Sequence, residues 1–394
     1  MSGPVTIFRG GSIFDGDRLH EGVALKVEAG RIAGIGPSAD LSGGEVVDLD
    51  GDILAPGYVD LQVNGGAGVM FNDDPSVETL TRIAAAHRTL GATSILPTLI
   101  TDTATKTRAA IEAAKAAVAA GVPGIVGVHL EGPHLSVTRK GAHDAALIRP
   151  MDAEDLAELS EAAQSLPALM LTVAPENVSP AQVKQLVSAG AVVSLGHSDA
   201  DFDTSMSYVE AGVSCATHLF NAMSQLGNRD PGLVGAVLAS GTLSAGLIAD
   251  GIHVHPETMR AAWASKRGPG RIFLVSDAMA PAGTKQDSFE LEGRAISRKE
   301  GRLTLENGTL AGADLDLTTA IRVLTSQVHV PLEEALIAAT RIPANLMGLA
   351  DAGRLRIGGQ STLIRIAKDL REVQVLDWVF SKPQSKKDAY EMRP

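Results

Sequence analysis

Apolar runs of strand length recur eight times through the middle of the chain, many of them flanked by glycine. They occupy residues 53–61, 94–100, 124–130, 168–173, 191–195, 214–217, 244–249 and 271–275. They are apolar throughout rather than alternating, which is what strands buried on both faces require. Between many of them lie stretches with helical spacing. Residues 76–90 and 104–120 are alanine-rich, while 152–164 and 179–189 open on Asp152 and Ser179, residue types that cap helix N-termini. Alternating strands and helices predict a parallel sheet. Eight such units ending near residue 290 predict an α/β fold of the (β/α)8 TIM-like barrel kind, whose usual size is about 250 residues. An open doubly wound sheet would favour a glycine-rich phosphate loop after the first strand, and residues 63–68 do not match GxGxxG.

The two ends of the chain have a different texture. Residues 5–8, 22–28, 31–35 and 45–49 are short extended runs separated by Gly and Asp turns, and 361–366 and 373–380 resemble them. We therefore expect a small β domain, a β-sandwich, assembled from residues 1–53 and 355–394 around a barrel domain of residues 54–354. Residues 381–394 are polar and read as a loose tail.

Composition narrows the function. Aromatic residues are only 3% of the 394, so the core must be aliphatic. The net charge of −12 and the absence of a Lys/Arg-rich run argue against a nucleic-acid partner, although two or three local cations suffice for one small phosphate. The single cysteine, Cys215, cannot form an internal disulfide, which fits a reducing cytoplasm. No signal-peptide pattern opens the chain, and no run of about 20 apolar residues suggests a membrane span.

Chemistry-bearing residues cluster just after the apolar runs, where a barrel carries its active site. Gln62 and Asn64 follow the first. The third ends in His129-Leu130-Glu131-Gly132-Pro133-His134, and the fifth in Gly196-His197-Ser198-Asp199. Thr217-His218-Leu219-Phe220-Asn221, Asp250-Gly251-Ile252-His253 and Ser276-Asp277-Ala278 close the sixth, seventh and eighth. An isolated histidine is more often structural than ligating. One glutamate and two histidines on separate strands, however, make the three-ligand pattern of an open catalytic zinc site. Such a metal lowers the pKa of its water from 15.7 to about 7. A carboxylate must then take the water proton and protonate the leaving amine, and Asp277 is the best-placed candidate.

The ordered set VDLQVNG, HLEGPHL, GHSDA, THLFNAM, ADGIHVHP and SDAMAP resembles the N-acetylglucosamine-6-phosphate deacetylase family of the amidohydrolase superfamily. The resemblance runs from about residue 53 to 348, and the β-rich ends match that family's split small domain. It implies one divalent metal ion, most simply zinc, held by Glu131, His197 and His218, with Gln62 a further candidate ligand. Asp277 would be general base and then general acid. Where many amidohydrolases carry His-x-His and a second metal, this chain has Gln62 and Asn64, which implies a one-metal enzyme. His143, Asn221, Ala222, Arg229 and His253 would contact the sugar phosphate, with Arg229 acting either in its own chain or across the interface of a homodimer. The run 306–312, with Leu310 at its centre, resembles the loop that closes over substrate. The implied reaction converts N-acetylglucosamine 6-phosphate to glucosamine 6-phosphate and acetate in the cytoplasm.

Two rival readings remain at this stage. One is another amidohydrolase acting on a cyclic amide or an N-acyl amino acid. The lysine that would bridge two metals in part of that class is missing from the fourth strand end, Thr172-Val173-Ala174-Pro175-Glu176. The other is a metal-free barrel serving as a binding protein, for which Gln62 and Asn64 are the only supporting substitutions.

Overall fold

A computed structural model describes residues 4–291, 293–360 and 362–376. The expected polar tail and residues 377–380 of the last extended run lie outside the described residues.

The central element is an eight-stranded parallel sheet of β1 (Tyr58–Val63), β2 (Ala92–Ile100), β3 (Val128–Glu131), β4 (Leu169–Val173), β5 (Val192–Leu195), β6 (Cys215–Ala216), β7 (Ser244–Leu247) and β8 (Ile272–Leu274). The strands pair in sequence order from β1 to β8. Helices cover the outside, among them α1 (Val77–Thr89), α2 (Ala104–Ala119), α3 (Ala153–Ser165) and α4 (Pro180–Ala189). The caps read from sequence are present. Asp152 and Asp155 form a reciprocal capping box, as do Ser179 and Gln182. Each helix turns its small and aliphatic face inward, as Leu80, Ile83 and Ala84 of α1 illustrate. Strand β4 is buried along its whole length, in keeping with its unbroken apolar run.

Among the described residues no ladder joins β8 to β1, and the seam is closed at the site end by single bonds. The Asp277 amide donates to Gln62 O at 3.0 Å, and the Asn64 amide to Ala278 O at 2.9 Å. Below them the buried Asp60 carboxylate accepts the Ser276 amide at 3.2 Å and the Gln62 amide at 3.2 Å. Burial pushes the Asp60 carboxyl up to about 7.

The first apolar run is two strands, not one. Ile53–Pro56 leaves the barrel and pairs with Leu363–Ile366 on one side and Ser12–Phe14 on the other. Pro56 and Gly57 mark the break. That five-stranded sheet and a four-stranded one, ordered Arg31–Pro37, Val23–Glu28, Val5–Arg9 and Glu45–Asp48, share a cluster of Phe8, Ile13, Leu25, Ile32, Leu54 and Leu363. After β8 the chain inserts a four-stranded antiparallel sheet, Ser288–Leu291, Arg294–Lys299, Arg302–Leu305 and Leu310–Ala313. The apolar pattern did not predict it, because its strands are mostly exposed or half-buried polar positions around single buried residues such as Ile296 and Leu303.

Candidate active site

Strand ends β3, β5 and β6 bring three donor atoms together. His197 Nε2 and His218 Nε2 lie 3.0 Å apart, and Glu131 Oε1 is 3.0 and 2.9 Å from them. All three residues are buried. Burial alone would raise the Glu131 carboxyl, but the hydrogen bonds from the two imidazoles outweigh it and hold it well below its ordinary value. His218 is raised despite burial, because Glu131 faces it.

These donors fit a divalent cation. A cation bonded to each atom at about 2.0–2.2 Å spans a triangle of this size. His197 Nδ1 donates to Arg139 O at 2.8 Å, so its Nε2 carries the lone pair a metal needs. His143 also brings a ring nitrogen within 4.8 Å of the Glu131 and His197 donors. Its Nδ1, however, accepts the Thr101 amide at 3.2 Å and sits 2.8 Å from Thr101 Oγ1. The proton of its neutral ring is therefore on Nε2, making His143 a hydrogen-bond donor rather than a ligand. Burial, with the neighbouring His197, pushes His143 down to about 3 and keeps it neutral.

Asp277 stands opposite, at the end of β8. Its Oδ1 accepts Asn64 Nδ2 at 2.7 Å and Gln62 Nε2 at 3.1 Å. Gln62 Nε2 also donates to Glu131 Oε2 at 3.1 Å. Gln62 thus ties two carboxylates together through its amide nitrogen, and in this orientation that nitrogen cannot ligate. Burial first, then the Glu131 charge, push the Asp277 carboxyl up to about 6.

A cavity of about 270 Å³ opens beside these groups. Its lining includes Asn64, Glu131, His143, His197, His218, Asn221, Ala222, His253, Asp277 and Leu310. Thr309, Leu310 and Gly312 come from the inserted sheet, so that sheet forms one wall. Arg229 does not line the cavity and lies on an exposed loop. His255 caps the helix Pro256–Ser265.

Several supporting residues were not singled out from sequence. Thr101, which fixes the tautomer of His143, carries no signal beyond following the second apolar run. A belt of polar side chains crosses the barrel beneath the site. Thr98 Oγ1 accepts the Val63 amide at 2.9 Å, and His129 bonds Thr98 at 3.3 Å and Thr172 at 2.7 Å. Thr172, Thr217 and Ser194 continue it at 2.6 and 2.7 Å. His129 therefore belongs to this belt, and burial pushes it down to about 4.

Residues 53–387 match the amidohydrolase family, and the chain belongs to that family. It is 39% identical to the N-acetylgalactosamine-6-phosphate deacetylase of a Shewanella species, over 94% of this chain and 93% of that one. It is 36% identical to the N-acetylglucosamine-6-phosphate deacetylase of Haemophilus influenzae, over 80% and 82% of the two chains. The crystal structure of the Pasteurella multocida N-acetylglucosamine-6-phosphate deacetylase superposes with a TM-score of 0.88 at 34% identity, covering 94% of this chain and 97% of that one. A mutant of the Mycobacterium smegmatis enzyme in complex with N-acetyl-D-glucosamine-6-phosphate gives 0.87 at 29% identity, covering 95% and 98%.

Proposed function

We propose that this amidohydrolase-family protein hydrolyses the acetamide of an N-acetylhexosamine 6-phosphate, and that its substrate is N-acetylglucosamine 6-phosphate, yielding glucosamine 6-phosphate and acetate. The observation that carries the reading is the convergence of Glu131, His197 and His218 on one point across the cavity from Asp277. One carboxylate and two imidazoles suit zinc. When bound there, the cation supplies Lewis-acid polarisation of the carbonyl and acidifies the attacking water.

The chain's own residues divide the rest of the work. Asp277 takes the proton of the attacking water and passes it to the leaving amine, and its raised carboxyl suits both halves of that task near neutrality. His143 donates its Nε2 proton to the oxygen on which negative charge develops. Gln62 and Asn64 hold Asp277 in place. Asn221, Ala222, His253 and Leu310 contact the sugar phosphate from the cavity wall. Arg229, exposed and outside its own chain's cavity, contacts the phosphate bound to a second copy in a homodimer. A lone buried Cys215 is compatible with a cytoplasmic setting.

A second reading is favoured by one observation, the 39% identity to an N-acetylgalactosamine-6-phosphate deacetylase. Release of free amine from both epimeric 6-phosphates, with and without zinc and beside the unphosphorylated sugars, tests both readings. We expect zinc-dependent turnover of the phosphorylated gluco epimer. Preference for the galacto epimer would select the second reading. Loss of both activities in metal-loaded protein would overturn the deacetylase assignment.

A further inference from the structure

The segment that follows β3 wraps His197. The Ser136 amide donates to His197 O at 2.8 Å, and His197 Nδ1 donates to Arg139 O at 2.8 Å. Further along, a Cβ at Gly141 would meet His197 Cε1 at 3.4 Å. The His143 ring then lies 4.4 Å from the His197 ring, centroid to centroid. Residues 136–143 therefore run as a strap over His197, from its backbone to its Nδ1 edge and on to the cavity wall.

The strap is fastened by a second contact of the same arginine. Arg139 reaches Asp199 with two nitrogens, Nε at 2.8 Å and Nη2 at 2.6 Å, both on Oδ1. Asp199 stands two residues past His197. Its amide donates to Glu176 Oε1 at 2.7 Å, and Ser198 Oγ donates to Glu176 Oε2 at 2.9 Å, so the turn after β5 is anchored to the end of β4. Arg139 thus holds this turn at two points. Its carbonyl accepts from the His197 ring, and its guanidinium grips Asp199. The path from His197 through Ser198, Asp199 and the Arg139 side chain back to His197 Nδ1 is a closed ring.

Resting on the metal-dependent reading above, we infer that Arg139 and Asp199 are positioning residues for the cation site. Their ion pair holds the Arg139 carbonyl on His197 Nδ1, and so keeps the Nε2 lone pair turned towards Glu131 and His218. Neither side chain lines the cavity. A fixed acceptor on the far nitrogen of a ligating histidine is worth about 10–100-fold in metal affinity. The pair steers that acceptor from outside, with 36% and 45% of its side chains exposed, so solvent screening limits its share. An exposed ion pair changes an equilibrium constant by up to about fivefold.

Zinc affinity, measured by competition with a chromogenic chelator, tests the pair without reference to turnover. We expect Arg139→Met, which keeps most of the aliphatic stem, and Asp199→Asn each to raise the zinc Kd about threefold to fivefold. The double variant should add little to either single change, since the two side chains act as one. Arg139→Lys should recover part of the loss. In 1 M salt, where the screening length falls to about 3 Å, the ratio of variant to wild-type Kd should shrink towards one. An unchanged zinc Kd with a lowered melting temperature would make the pair a support of the fold alone and overturn the inference. Additive losses, or a ratio indifferent to salt, would overturn it as well.

Amine release from the phosphorylated sugar, run on the same zinc-loaded wild type, separates the two levels of inference. Zinc binding weakened by both single variants supports the clasp even if the wild type releases no acetate, in which case the deacetylase reading alone fails. Wild type that turns over the sugar phosphate, beside variants whose zinc Kd is unchanged, removes the clasp and leaves the deacetylase reading standing. Wild type that takes up no zinc overturns both.

Discussion

Asp277→Asn keeps the shape of the site and removes the group proposed as its base. The Asn oxygen can still accept from Asn64 and Gln62, which now reach Asp277 Oδ1 at 2.7 and 3.1 Å. What disappears is the carboxylate proposed to take and return a proton. General acid–base groups contribute about 10²–10⁴-fold, or about 3–5 kcal/mol of barrier, so kcat should fall by that factor with zinc content unchanged. Stability should move the other way. Burial and Glu131 lift the Asp277 carboxyl from 3.8 to about 6, a shift equivalent to about 3 kcal/mol against the charged form. A raised folded-state value means that the native protein binds the proton more tightly than the unfolded chain. The penalty is therefore full above about pH 6 and fades as pH falls towards 4. Chelator-treated Asp277→Asn should melt a few degrees above chelator-treated wild type at pH 8, with that gain lost near pH 4. Amine release, metal analysis and paired melting curves supply the assay. Near-normal turnover would refute the proton-transfer role, and a melting gain equal at both pH values would refute the charge argument.

Three further perturbations test other parts of the site. His143→Ala should lower kcat about 10²–10³-fold with zinc retained, measured by turnover and metal content together, because the proposed reaction uses it as an oxyanion donor rather than a ligand. His218→Ala should abolish zinc retention, and titrating zinc into chelator-treated wild type should stabilise it by about 2.7 kcal/mol at a free concentration one hundred times Kd, read by denaturant unfolding. Thr172→Val should destabilise the fold by about 1–3 kcal/mol in the same unfolding assay, because Thr172 Oγ1 links His129 at 2.7 Å to Thr217 at 2.6 Å.

The barrel was legible because strands buried on both faces leave unbroken apolar runs, and because a barrel puts its chemistry at their ends. Glu131, His197, His218 and Asp277 were found as residues that interrupt apolar sequence where nothing in a core requires them. The inserted sheet was not legible, since its strands cover the cavity mouth with one face only and read as polar chain. Thr101 was missed for a different reason. It acts through its backbone amide, and every residue but proline has one. Arg229 shows the opposite limit, since its exposed loop gives it no partner in the cavity of its own chain, and only the family resemblance singled it out.

What most separates this site from an ordinary strand end is its backbone. His197, His218 and Asp277 all adopt left-handed φ values, +48°, +31° and +49°, as do Phe220 and Ala222 beside them. Such residues cost about 1–3 kcal/mol each and persist only where their surroundings over-determine them. Here the surroundings are backbone hydrogen bonds, one within the β6 end and two from other segments. The Ser136 amide donates to His197 O at 2.8 Å, the Asn221 amide to His218 O at 2.9 Å, and the Ala313 amide to Asp277 O at 2.9 Å. The last comes from the inserted sheet, so the element that walls the cavity also fixes the backbone of Asp277. A left-handed turn directly after a strand swings the side chain out of the alternation that would bury or expose it. It brings groups from β5, β6 and β8 to the mouth of one cavity. The strain and the convergence are two consequences of one arrangement, and relaxing any of the three backbones to the β region would disperse the site without unfolding the barrel.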